Sequence, residues 1–375
     1  MNNNSNENLK ICVYAIAKNE SKFVNRFMDS LEGQIDKIYI LDTGSTDDTV
    51  ELFRKRGAIV HKRTYKKFKF DKARNDSLKF VPLDMDVCIC LDIDDIIQPG
   101  FVDIIKNNWV KGITSQMRYE YLYTFDENDV PILTFYNNHI HGRHFFKWIY
   151  PIHEVLHYEG TNFNSITNHE LKIHHRPDKT KSREFYLDLL EERVNNYPDD
   201  SRNTYLLARE YLNKNRYEDS IEICKKYLKN TSFQSKPERS KIMFFLARNY
   251  RKLNQYDLGV MWAKLSIDEL PKNRDPYVEA LIMTYKDKKY REALDFGLRA
   301  LEIKDKNPGL INDALSFNGT IEDYVSLIYY YLEEYDKSLE YVNKALEIRP
   351  DDRRLKDNKK LYENKIKESS NDNRG

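Results

Sequence analysis

The run Val87-Cys88-Ile89-Cys90-Leu91-Asp92-Ile93-Asp94-Asp95 ends an apolar, strand-like stretch in three carboxylates. Acids placed where a strand leaves a sheet can hold a divalent cation against a phosphate, because hard cations take oxygen ligands and share them with substrate phosphates. The chemistry indicated is that of nucleotides. A D-x-D-D alone also suits a solvated turn or a helix cap, so its meaning depends on what the rest of the chain brings to the same place.

Upstream, Ile11-Cys12-Val13-Tyr14-Ala15-Ile16 and Lys37-Ile38-Tyr39-Ile40-Leu41 are short, β-rich apolar runs, with a helical pattern from Lys22 to Leu31 between them. Strands of a parallel sheet are buried on both faces and lose the alternating pattern, so these runs read as successive β-α-β units. The second ends in Asp42-Thr43-Gly44-Ser45-Thr46-Asp47-Asp48-Thr49, followed by a helical pattern from Val50 to Arg56. Small residues admit a ligand close to the backbone, and Asp47 or Asp48 can cap the helix. Ligands of open α/β sheets bind outside the carboxyl ends of the strands. Ala15 to Glu20, Asp42 to Ser45 and Asp92 to Asp95 are therefore expected to line one crevice.

Four ordered motifs, Ala17-Lys18-Asn19-Glu20, Asp42-Thr43-Gly44-Ser45-Thr46-Asp47, Ala73-Arg74-Asn75 and Leu91-Asp92-Ile93-Asp94-Asp95, together resemble family-2-type glycosyltransferases with the GT-A fold, over about residues 8 to 180. The resemblance implies a Rossmann-like, mostly parallel sheet and a nucleotide-sugar donor, with a UDP-sugar expected. It also implies a divalent metal, Mn2+ or Mg2+. Ala15, Lys18, Glu20, Asp42, Ser45, Arg74 and Asp92 would then bind the donor. Among them Asp42 would pair with the nucleobase, Arg74 would lie near the base or diphosphate, and Asp92 would face the ribose. Asp94 would hold the metal beneath the diphosphate. Neither G-x-x-x-x-G-K-[ST] nor G-x-G-x-x-G occurs, which removes the competing phosphate-binding loops.

Eight of the nine histidines lie between His139 and His175, but their spacing fits no standard structural zinc site. In the resembled enzymes a histidine near the end of the catalytic domain completes the metal shell. His174 in Leu171-Lys172-Ile173-His174-His175 stands in that place, with His175 as the register alternative, and imidazole can ligate manganese alongside carboxylates. The segment Trp148-Ile149-Tyr150-Pro151-Ile152-His153-Glu154 resembles a tryptophan-to-His-Glu segment of the same enzymes, with Tyr150-Pro151 where a small residue is expected. Inverting transfer needs a carboxylate within reach of the acceptor nucleophile, and Glu154 is the candidate base.

Composition bounds the alternatives. Sixty-one basic against sixty acidic residues leave a formal charge of +1, so no global field favours nucleic acid or membrane. The basic run Lys62 to Lys69 is a local exception, readable as a phosphate-holding loop or as a solvated one. Cys12, Cys88, Cys90 and Cys224 lie within predicted strands or a helix and read as core thiols. The polar residues 1–10 carry no signal-peptide pattern and no stretch is long and apolar enough for a membrane span, so a cytoplasmic protein is expected.

After residue 180 the texture becomes charged and helical. Tyr217, Tyr256, Tyr290 and Tyr335 each precede a small residue by three positions, Ser220, Gly259, Ala293 and Ser338. Small residues let paired helices close, while the aromatic fills the space between repeats. The second interval matches the ~34 residues of a tetratricopeptide repeat, and the first and third are longer. The largest insertion is expected between Asn307 and Thr320. This half resembles tetratricopeptide repeats, whose curved stacks hold peptides or dock subunits, dimerisation included.

The expected fold is thus α/β plus all-α. Residues 1–8 are a disordered terminus, 9–180 a GT-A domain, 181–355 a helical solenoid, and 356–375 a capping helix with a polar tail. The layout is similar to that of sublancin-type S-glycosyltransferases. The expected activity is inverting, metal-dependent sugar transfer to a peptide, protein or glycan. The alternatives are a repeat-based binding scaffold with a silent catalytic domain, or a nucleotidyltransferase, although Ala15 to Glu20 lacks the Gly- and Lys-rich activation loop of the latter.

Overall fold

The computed structural model describes residues 8–35, 37–126, 129–178, 185–230, 235–305 and 313–372. Apart from Asn8, the terminus expected to be disordered lies outside the described residues, as do residues 307–312 of the expected insertion and the end of the tail. The chain divides into two compact units, Met1–Leu189 and Leu190–Gly375.

In chain order the first unit contains β1 (Ile11–Ala17), α1 (Ser21–Leu31), β2 (Ile38–Asp42), α2 (Thr49–Lys55), β3 (Ile59–Lys62), α3 (Phe70–Lys79), β4 (Val87–Cys90), β5 (Asp95–Ile97), α4 (Phe101–Asn108), β6 (Gln116–Phe125), β7 (Pro131–Gly142), β8 (Phe146–Ile149), β9 (Val155–Tyr158) and β10 (Ser165–His175). One eight-stranded sheet runs β3-β2-β1-β4-β7-β6-β10-β5, and β8 and β9 form a separate hairpin. The β3-β2-β1-β4 half is wholly parallel. In the other half β7 runs antiparallel to β4 and β6, β6 and β10 are parallel, and β5 is antiparallel to β10.

Burial of β1 on both faces explains its unbroken apolar sequence. Val13 and Ala15 pack into one core with Val24, Phe27 and Leu31 of α1. Cys12 and Tyr14 point to the opposite core, with Leu78 of α3 and Trp148 of β8. All four cysteines are buried free thiols. Parallel pairing of Ala17 with Asp42, and of Tyr14 with Cys90, brings the carboxyl ends of β1, β2 and β4 to one edge.

Helix α5 (Phe185–Asn196) runs across the boundary between the units. It is followed by the helix pairs α6 (Ser201–Asn213) and α7 (Tyr217–Lys229), α8 (Lys236–Lys252) and α9 (Tyr256–Glu269), α10 (Asp275–Lys286) and α11 (Tyr290–Glu302), and α12 (Thr320–Tyr331) and α13 (Tyr335–Ile348). The last helix is α14 (Arg353–Asp372). Each pair turns through a left-handed residue two positions before the repeat tyrosine: Asn215, Asn254, Lys288 and Glu333, with φ between 58° and 61°. Ser220, Gly259, Ala293 and Ser338 are all buried. At Gly259 a Cβ would lie 2.3 Å from Met283 Sδ, so the small residue sets the closeness of α9 to its neighbour. Leu355 and Tyr362 of α14 bury against Val342 and Ala345 of α13, which closes the stack.

Candidate active site

Of the three loops at the carboxyl ends of β1, β2 and β4, the first two latch to one another through side chains. Asn19 takes a left-handed conformation, φ 53°. Its side-chain oxygen accepts from the Thr46 amide at 2.8 Å, and its own amide donates to Ser45 Oγ at 2.9 Å. The Glu20 amide donates to Thr49 Oγ1 at 2.7 Å and the Ser21 amide to Asp47 Oδ2 at 3.1 Å. Burial would raise the Asp47 carboxyl, but hydrogen bonds from Thr49 and Ser21 outweigh it and hold it at about 2.

These loops border a cleft of about 1080 Å3. It is lined by Ala17, Lys18, Glu20 and Asp47 at the first two loops, by Arg74, Asp92 and Asp94, by Tyr121, Tyr123 and His175, by His153 and Glu154, and by Phe70, Phe185 and Tyr186. Of the expected donor residues, Lys18, Glu20, Arg74 and Asp92 are therefore brought together. Ala15, Asp42 and Ser45 are not among the lining residues. Ala15 is wholly buried two residues inside β1, where its carbonyl accepts from Ser77 Oγ. The Asp42 carboxylate folds back on its own turn to accept the Gly44 and Ser45 amides at 3.2 Å, and only 2% of the residue is exposed. Ser45 is spent on Asn19.

The acids after β4 divide by environment. Asp92 Oδ1 accepts from Arg74 Nη2 at 2.7 Å. Burial would raise the Asp92 carboxyl, yet the guanidinium prevails and holds it below the usual range. Asp94 has no such partner. Burial, then the charge of Asp92, pushes it to about 7 against the opposing pull of His175. Asp95 is buried and accepts from Tyr121 Oη at 2.7 Å, from His175 Nδ1 at 3.1 Å and from the Asp92 amide at 3.1 Å.

The two adjacent histidines face different surroundings. Successive strand residues point to opposite faces. His175 of β10 turns to the acids, with Nδ1 3.7 Å from Asp94 Oδ1 and its ring stacked on Tyr123 at 5.1 Å. His174, the expected ligand, stacks on Phe125 instead. One ligand atom each from Asp94, Asp95 and His175 lies within 4.8 Å of the others. With a proton on Nδ1 donated to Asp95, Nε2 would be the nitrogen open to a cation, the arrangement in which a carboxylate orients a metal-binding imidazole. Carboxylate oxygens suit Mg2+ or Mn2+, and an imidazole beside them favours the transition metal Mn2+. Burial would lower His175, but the hydrogen bond to Asp95 and the surrounding carboxylates raise it.

Arg74 is 4% exposed and committed on all three nitrogens. Besides Asp92, it donates through Nε to Glu154 Oε1 at 2.5 Å and through Nη1 to Cys90 Sγ at 3.2 Å. Of the basic run, Lys67 reaches the cleft, while Arg63, Lys66 and Lys69, together with Lys72 of α3, line a separate concavity that Lys67 also borders. The remaining histidines do not gather. Burial drives His139 down to about 3 and His141 to about 4, and His141 Nε2 lies 2.8 Å from Tyr14 Oη within the core.

Sequence reasoning missed the cleft residues Tyr121, Tyr123, Phe185 and Tyr186, and the supporting role of Asp95. The alternation Tyr119-x-Tyr121-x-Tyr123 was a visible period-two signal. Nothing local distinguishes Phe185 or Tyr186, which lie beyond the domain end expected at residue 180.

An α/β sheet with a carboxylate-rimmed cleft outside the ends of its parallel strands has its cleft where open α/β domains bind their ligands. Residues 12–158 match the family model "Glycosyl transferase family 2", and residues 202–231 and 325–352 match that of the tetratricopeptide repeat. The chain thus joins a family 2 glycosyltransferase domain to tetratricopeptide repeats. The first match ends before β10, so His175 and the α5 residues rest on geometry alone. Similar solved structures include YrrB, described as a TPR protein with an unusual peptide-binding site, at 18% identity and TM-score 0.38, covering 47% of this chain and 83% of that one. Another is MamA from Desulfovibrio magneticus RS-1, at 15% identity and TM-score 0.37, covering 45% and 87%. No functionally curated protein matches the chain. Among the described residues no helix is long and apolar enough to cross a membrane.

Proposed function

We propose that the protein transfers a sugar, with inversion, from a nucleotide-sugar donor to a peptide, protein or glycan acceptor in the cytoplasm, using a divalent cation. The observation that carries this reading is the cluster of Asp94, Asp95 and His175 at the rim of a cleft in a family 2 domain. Asp94 and His175 would hold Mn2+ or Mg2+, with Asp95 fixing the imidazole. The cation, when bound, offsets the negative charge that develops on the diphosphate leaving group. A UDP-sugar is the donor expected from the resemblance alone, with Asp92 toward its ribose and Lys18 and Glu20 at the cleft wall.

Glu154 is the proposed base. It takes the proton of the acceptor nucleophile as that atom bonds to the anomeric carbon and the bond from this carbon to the diphosphate oxygen breaks. The products are the glycosylated acceptor and a nucleoside diphosphate. Arg74 holds Glu154 and Asp92 in one frame, so the base and the donor loop keep a fixed separation. The repeats would bind the acceptor or another subunit.

Incubation with sugar nucleotides and Mn2+, read as release of nucleoside diphosphate, tests the reading. Turnover that chelation abolishes is expected. Release unaffected by excess chelator removes the metal assignment, and no turnover with any donor removes the enzymatic reading.

A further inference from the structure

The connection between β8 and β9 carries Glu154 in a backbone with two left-handed residues. Ile149 pairs with Val155, so five residues, 150–154, must turn the chain. Two of them, Tyr150 at φ 74° and His153 at φ 49°, adopt left-handed conformations although neither is glycine. Such conformations persist only where the surroundings over-determine them.

Helix α3 supplies those surroundings. The Asn75 amide grips the strand just before the turn from both sides: Nδ2 donates to the Trp148 carbonyl at 2.7 Å, and Oδ1 accepts from the Trp148 amide at 2.9 Å. This pairing fixes which way the amide faces, because one backbone group needs a donor and the other an acceptor. The Phe70 amide donates to the Pro151 carbonyl at 2.9 Å. Arg74 Nε holds the Glu154 carboxylate at 2.5 Å, with the guanidinium 5.1 Å over the Trp148 ring. One helix therefore fixes the strand end, the middle of the turn and the carboxylate.

We infer that α3 is a clamp that shapes the Glu154 connection, with Asn75 and Arg74 as positioning residues whose effect on the reaction passes through Glu154. This rests on the reading of Glu154 as the base. Asn75 does not line the cleft, so its contribution separates from donor binding. Misplacing a reacting group by about an ångström costs up to ~100-fold in rate.

The test uses full-length Asn75→Ala and Asn75→Asp, the latter keeping the acceptor for the Trp148 amide and losing the donor. Three quantities are read: amide hydrogen exchange over residues 148–154, calorimetric affinity for uridine diphosphate with Mn2+, and hydrolytic turnover of a UDP-sugar. Exchange in that segment should rise about tenfold or more in Asn75→Ala, with Asn75→Asp intermediate. Uridine diphosphate affinity should stay within about twofold, while turnover falls roughly 10- to 100-fold. Unchanged exchange overturns the clamp, and so does a loss of diphosphate affinity equal to the loss of turnover. Unchanged turnover in a loosened connection overturns the positioning role. Glu154→Gln run in parallel keeps the two ideas apart: parent turnover in that variant defeats the base assignment, while the exchange data still decide the clamp.

Discussion

His175 Nδ1 sits 3.1 Å from Asp95 Oδ1, and that contact selects one of two adjacent histidines for the acidic cleft. His174, one residue earlier on β10, faces away and stacks on Phe125. The expected outcome for His175→Ala is a loss of Mn2+ affinity of about tenfold or more, with Asp95→Asn losing roughly 10- to 100-fold through the unsupported imidazole. His174→Ala should bind as the parent does. Titration of Mn2+ followed by electron paramagnetic resonance reads all three, and equal losses in the two histidine variants would refute the register.

Metal uptake should be coupled to a proton near neutrality. Burial and the neighbouring Asp92 hold the Asp94 carboxyl at about 7 in the metal-free protein, and a ligating carboxylate must be ionised. Below that value the cation must displace a proton. His175, itself raised above the ordinary imidazole value, must also shed a proton to ligate, so apparent Mn2+ affinity should rise with pH through about 7, by up to about tenfold per pH unit for each of the two groups still protonated, and flatten only once both have lost their protons. Calorimetry in buffers of differing ionisation enthalpy counts the protons released. The sign for stability is opposite: the folded value exceeds the ordinary carboxyl value, so the metal-free protein loses this contribution as pH rises from about 4 through 7. A pH-independent affinity across that range would contradict the assignment.

Asp42 should act on its loop. Its carboxylate accepts two turn amides and is nearly sealed from solvent. Asp42→Ala leaves those donors unmet at a cost of about 1–3 kcal/mol, visible as a lowered melting temperature. Asp42→Asn keeps an acceptor oxygen and should recover most of the loss. A variant that melts like the parent yet loses nucleotide affinity would return Asp42 to a direct nucleobase contact.

In the helical unit the charge to remove is Glu279. It is fully buried and accepts from Arg248 Nε at 2.7 Å and Arg251 Nε at 2.5 Å. Glu279→Ala takes from Arg251 the carboxylate it donates to and leaves Arg248 with Asp313 alone, and should cost about 3–5 kcal/mol. The exposed pair Lys264–Glu292 joins at 2.9 Å, and Glu292→Ala should cost less than about 1 kcal/mol. Urea unfolding of the two variants compares them directly, and similar midpoints would disprove the distinction.

A chain cut after Ser182 lacks Phe185 and Tyr186, which line the cleft, whereas a chain cut after Tyr197 keeps them. With circular dichroism confirming an α/β core in each, the longer piece should bind uridine diphosphate with Mn2+ more tightly than the shorter. Equal calorimetric affinities would show that the aromatic wall lies away from the nucleotide.

The sequence was enough to locate β1, β2 and β4, because parallel strands buried on both faces must be apolar throughout, and to place their acidic and small-residue loops at one edge, because parallel pairing aligns carboxyl ends. It was enough for the repeats as well, since Tyr217, Tyr256, Tyr290 and Tyr335 each precede the buried small residue that lets two helices close. Tertiary structure alone decided the finer matters. A slip of one residue in β10 exchanges His174 for His175 without changing the local pattern. The inward turn of Asp42, the commitment of Arg74 to Glu154 across 80 positions, and the arrival of Phe185 at the cleft carry no local signature. Their partners lie far along the chain, and side-chain direction and long-range pairing are fixed only when the strands and helices that carry them have packed.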